Sequence, residues 1–128
     1  MDECSVRFRH HDTVVVDLPH VVDFYSERDI HTAVMNAVID DCRHLVLSLA
    51  RTRDFDSSGI TLLLAIWRHT QNENITLSLA DLPSFVARML RITGTDTVLA
   101  VHPTAHDAIN TVNRKGGTAQ DGPLSREA

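Results

Sequence analysis

Asp54-Phe55-Asp56-Ser57-Ser58-Gly59-Ile60 is the stretch where a loop hands over to a helix. Ahead of it, Leu45-Val46-Leu47-Ser48-Leu49-Ala50 has the length and composition of a buried strand. Behind it, Ile60, Leu63, Leu64 and Trp67 recur at helical spacing and are most simply core. A polar residue just before such a run caps the helix by accepting an orphan backbone N–H, and either Asp56 or Ser57 suits that role. Gly59 has no Cβ, so another backbone or a bound group can come close there. Hydroxyls are thus set at a helix N-terminus, where free N–H groups and the positive end of the dipole favour added negative charge. A serine can be phosphorylated at such a place without unfolding anything.

Upstream, a helix is expected from Ser26, with Ile30, Ala33, Val34, Ala37 and Val38 on one apolar stripe. Ser26 and Asp29 have the spacing of a capping box, and Asp40-Asp41 mark an exposed end. Val14-Val15-Val16-Asp17-Leu18 is a β-branched strand ended by Pro19. Residues 5–9 alternate Val6 and Phe8 with polar neighbours as an edge strand, joined to it through His10-His11-Asp12 as a hairpin. Downstream, the polar connector Gln71-Asn72-Glu73-Asn74 leads to a strand at 75–79. Pro83 sits where helices start, Leu82, Phe85, Val86, Met89 and Leu90 share a face, and Gly94 is placed for a left-handed cap. A last strand at 98–101 precedes a helix from near Pro103 carrying Ala105, Ala108, Ile109 and Val112. Residues 113–128 lack periodicity and apolar content, and are expected to be a disordered tail. The order β-β-α-β-α-β-α-β-α predicts an α/β fold: a mixed, mostly parallel β-sheet with an N-terminal hairpin and about four helices.

In that setting, Asp56-Ser57-Ser58-Gly59-Ile60 after a strand and before an amphipathic helix resembles the STAS domain of anti-sigma factor antagonists, over residues 5–112. In that family the serine directly after the aspartate is the phosphorylated one, which the resemblance places at Ser57. It places Asp23 at the family's aspartate between the second strand and the first helix. Here His20-Val21-Val22 stands where the family usually has glycine, an acidic residue and Leu or Ile. Ser48 falls near a position that is often aspartate. Leu82-Pro83, the helix to Leu90 and Thr93-Gly94 follow the family more closely. The resemblance implies a binding module without cofactor or enzymatic activity. Its unphosphorylated form presents Asp23, Asp56, Ser57, Ser58 and Gly59 to an anti-sigma factor of the serine-kinase type, which then frees its sigma factor; phosphorylation at Ser57 ends the docking. The alternative within the same fold is a sensor or scaffold that binds a small ligand such as a nucleotide.

Other classes find less support. The chain of 128 residues suits one domain with a real core. A net charge of −5 and scattered arginines, with Lys115 the only lysine, argue against a direct nucleic-acid partner. Met1-Asp2-Glu3-Cys4 starts acidic without an apolar signal segment, and the apolar run 62–67 is too short to cross a bilayer. A cytoplasmic protein is therefore expected, with Cys4 and Cys42 as thiols and not a disulfide. Among the eight histidines, Pro103 breaks the spacing of His102 and His106, His10-His11 point apart, and no cysteine completes a zinc pattern. Asp54 and Asp56 share a face and can hold a cation, but a solvated pair flanking a helix start is the preferred reading. Without the family resemblance, Ser57 reads as a capping hydroxyl. A hydrolase using Ser57 would need a general base that the sequence does not place, and Gly-x-Ser-x-Gly, P-loop and dinucleotide motifs are absent.

Overall fold

The apolar runs become strands and the striped segments become helices, in the computed structural model that describes residues 3–38 and 41–118, with side chains through 111. In chain order these are β1 (Ser5–His10), β2 (Thr13–Asp17), β3 (Val21–Val22), α1 (Glu27–Ala37), β4 (His44–Ser48), β5 (Asp54–Phe55) and α2 (Ser57–Asn72). Then follow β6 (Thr76–Ala80), α3 (Ser84–Thr93), a 3₁₀ turn (Thr95–Thr97), β7 (Ala100–His102) and α4 (Ala105–Thr118). The main sheet has the order β1-β2-β4-β6-β7, with β1 antiparallel to β2 and the other neighbours parallel. The expected mixed, mostly parallel sheet, hairpin and four helices are all present among the described residues.

Several local expectations are corrected. The two-residue strands β3 and β5 pair in a separate small sheet that no alternation announces. Ser26 does not cap α1 through its side chain; its hydroxyl is engaged in the preceding loop instead. The backbone of 113–118 continues α4, whereas a tail was expected from Asn113; residues 119–128 of that tail, and Asp40, lie outside the described residues. Gly94 takes φ +77°, the left-handed cap expected of it, which a side chain would strain.

Alternation along the strands separates two unequal faces. Val14, Val16, Leu45, Leu47, Leu77 and Leu79 point to the face covered by α1, α2 and α3, and join the larger apolar cluster. Val15, Val46 and Ala80 point the other way, against Ala105 and Ala108 of α4. This second face also holds buried polar groups. His44, 1% exposed, sets Nε2 3.0 Å from Ser78 Oγ, and its Nδ1 meets no partner among the described residues.

At the C-terminal ends of the strands a small ionic network ties the hairpin to the parallel part of the sheet. Arg7 donates from Nη2 to Asp17 Oδ1 at 2.6 Å and to Ser48 Oγ at 2.8 Å, and Ser48 Oγ donates to Asp81 Oδ2 at 2.7 Å. Ser48 is fully buried, so its hydroxyl serves as the hinge of the network. Arg7→Ala would leave the Asp17 and Asp81 carboxylates facing Ser48 without a counter-charge. Because the guanidinium is partly solvated, the expected loss is modest, about 1–2 kcal/mol in urea unfolding. The effect should shrink in high salt.

Candidate functional site

Two loops at the C-terminal end of the parallel strands build the site. Thr52 Oγ1 donates to Pro19 O at 2.9 Å, and the backbone N–H groups of Arg53 and Asp54 both reach His20 O, at 2.7 and 3.0 Å. These bonds align β3 with β5 in parallel register, Val22 opposite Phe55. The residues that follow, Asp23 and Asp56, therefore emerge side by side at the same end of the small sheet.

Alternation then assigns directions. Phe55 turns inward and is 7% exposed, while Asp54 and Asp56 face solvent. Neither carboxylate is ion-paired among the described residues. Asp56 is the N-cap of α2: its Oδ1 accepts from Ser58 N at 2.8 Å, and its carbonyl accepts from Gly59 N at 2.8 Å. Of the two capping candidates it is thus the aspartate that does the capping. Ser57 occupies the first helical position, exposed, and its hydroxyl makes no hydrogen bond among the described residues. Ser58 is half-buried in the first turn.

Gly59 has a different role from the one its missing Cβ suggested. What comes close is neither backbone nor ligand but the ring of Phe55. A Cβ on Gly59 would lie 2.5 Å from that ring, and the glycine itself is buried. Gly59→Ala should therefore destabilise the fold by about 1–3 kcal/mol through overpacking, despite alanine's better helix propensity. Thermal unfolding checks this, and Phe55→Leu in the same chain should recover part of the loss.

Asp23 is engaged locally. Its Oδ1 accepts from Tyr25 N and Ser26 N, each at 3.0 Å, and lies 3.1 Å from Ser26 Oγ. The carboxylate thus fixes the turn before α1. That turn exposes two side chains that the sequence reading passed over: Phe24 is 71% exposed and Tyr25 is 88% exposed. The available signal was that neither aromatic belongs to any helical stripe or strand alternation around it.

Among the described residues no group of three or more His, Cys, Asp or Glu side chains gathers in a way that could hold a metal. No disulfide joins Cys4 and Cys42. No helix of the described residues is long and apolar enough to cross a membrane.

The model of the STAS domain family matches residues 5–108. The chain belongs to the STAS domain family. Solved structures of similar fold extend the likeness. An anti-sigma factor antagonist from Mycobacterium paratuberculosis superposes with a TM-score of 0.75 at 22% identity, covering 88% of this chain and 96% of that one. The Bacillus cell fate determinant SpoIIAA in its phosphorylated form gives 0.62 at 19% identity, over 85% and 98% of the two chains. The murine anion transporter Slc26a9 gives 0.72 at 15% identity, covering 84% of this chain but only 18% of the transporter. At such identities the likeness establishes the fold alone, and the fold serves both a regulator and a transporter. No curated protein sequence is similar enough to count as a relative.

Proposed function

We propose that this STAS domain is an anti-sigma factor antagonist, a cytoplasmic binding module and not an enzyme. Its unphosphorylated form docks on an anti-sigma factor of the serine-kinase type through the Asp23 turn and the head of α2, and makes that kinase release its sigma factor. Phosphorylation at Ser57 by the same kinase ends the docking. The observation that carries this reading is the division of labour at the head of α2. Asp56 satisfies the helix N-terminus, which leaves the Ser57 hydroxyl exposed and unengaged by the described residues. A capping serine would have to give up its bond to be modified, whereas this one is available at no structural cost. A solved anti-sigma factor antagonist of the same fold, and the cell fate determinant SpoIIAA solved in a phosphorylated form, support the reading.

The phosphate adds about −1.5 to −2 charge beside the carboxylates of Asp54 and Asp56. The positive end of the α2 dipole favours that charge within the domain, so the fold stays intact. A partner surface that had received a neutral hydroxyl receives a dianion instead, and like-charge contact in a desolvated interface costs several kcal/mol. Incubation with anti-sigma serine kinases and ATP, followed by mass mapping, should find the phosphate on Ser57. Modification confined to other residues, or none at all, would refute the proposal.

A nucleotide-binding sensor is the weaker reading. A cleft of about 420 Å³ between Pro19 and α1 has Glu3 and Asp29, and no arginine or lysine, among the described residues that line it, which disfavours phosphates there. A second cleft, of about 380 Å³, offers Arg28 and His31 but sets Glu27 among them.

A further inference from the structure

The most exposed large apolar side chains near the site are Phe24 and Tyr25, at 71% and 88%. Their rings meet edge to face, with centroids 5.5 Å apart and planes at 83°. The turn beneath them is held by Asp23 Oδ1, which accepts from the backbone N–H groups of both Tyr25 and Ser26. The backbone that carries the pair is therefore held in place, so less ordering of the turn is lost when a partner covers it. It adjoins the Ser57 turn, because the Val22–Phe55 register brings Asp23 next to Asp56. The two loops that flank it, 23–29 and 51–56, carry Asp23, Glu27, Asp29, Asp54 and Asp56 against Arg28, Arg51 and Arg53, a net acidic balance.

We infer that Phe24 and Tyr25 are the apolar anchor with which the domain grips its kinase partner, seated in a partner pocket rimmed by arginine or lysine. This rests on the antagonist reading above and deepens it by dividing the docking surface into two parts. The aromatic pair supplies affinity, and the Ser57 hydroxyl supplies the switch. Aromatic side chains buried at the centre of an interface often dominate binding, and the net acidic balance of the two flanking loops is complementary to a basic rim.

The test uses the full chain and the kinase that modifies Ser57. The double variant Phe24→Ala, Tyr25→Ala should bind that kinase about thirtyfold more weakly or worse. Its melting temperature should be unchanged, since both side chains are exposed. The KM for phosphorylation should rise while kcat holds, as expected when binding equal in ground and transition states is removed. The conservative variant Phe24→Leu, Tyr25→Phe should keep most of the affinity. Unchanged affinity in the double alanine variant, with Ser57→Asp still weakening binding, would overturn this inference and leave the functional reading standing. A dimer of the chain that the double variant dissolves, without loss of kinase binding, would assign the pair to self-association and overturn it too. If no kinase modifies Ser57, both readings fall together.

Discussion

Acidification from about pH 7 to about pH 4 is expected to remove on the order of 3 kcal/mol of folding stability at His44 alone. Burial pushes this imidazole down from its ordinary 6.5 to about 4; His102 acts in the same direction and Asp12 opposes both. The folded protein keeps the ring neutral, so between those two values the unfolded chain binds more protons than the folded one. The stability that His44 contributes is then complete above pH 6.5 and is lost as the pH falls towards 4. Carboxylates also titrate in this range, so the quantity to measure is a difference. His44→Gln keeps a polar partner for Ser78 Oγ and does not titrate. Its urea-derived stability should fall less steeply with pH than that of the parent, by about 3 kcal/mol across the window. Parallel curves would show that His44 is protonated as readily in the fold as outside it.

The second large effect lies at Ser57. Ser57→Ala should bind the kinase constitutively, because it offers a small neutral group and leaves the Asp56 cap untouched. Ser57→Asp should weaken binding, towards the roughly hundredfold that corresponds to about 2.7 kcal/mol, by placing a third carboxylate beside Asp54 and Asp56. Both variants should melt close to the parent, since the exposed hydroxyl makes no hydrogen bond among the described residues. That separation of binding from stability distinguishes a switch from a structural serine. Equal affinities for the two variants would remove the electrostatic basis of the proposal.

The sequence made the framework legible because burial there imposes a period. The β-branched run of β2, the apolar run of β4, the stripes of α1, α2 and α3, and the glycine after Thr93 each follow from one local rule. The small sheet was not legible, because Val21–Val22 and Asp54–Phe55 are too short to show alternation, and long-range bonds to Pro19 O and His20 O hold them. For the same reason the sequence left the cap open between Asp56 and Ser57. Which oxygen faces Ser58 N depends on where β5 delivers the chain. Gly59 was read as a place for another backbone or a bound group to come close, but the neighbour is the ring of Phe55, which only the small sheet turns inward. The capping-box spacing of Ser26 and Asp29 was overridden by Asp23, whose carboxylate engages Ser26 first. Phe24 and Tyr25 escaped notice because exposure of an aromatic is a tertiary fact. His44 reads in sequence as one more polar residue beside a strand, and its burial follows from α4 covering that face.

The central claim is that one exposed oxygen at the head of α2 decides whether a kinase partner stays bound. Calorimetric titration of that kinase with the unmodified chain and with chain phosphorylated stoichiometrically at Ser57 measures this directly. The expected result is tight binding of the unmodified chain and affinity lower by about a hundredfold or more for the phosphorylated one, with both fully folded. Indistinguishable affinities of two folded forms would contradict it.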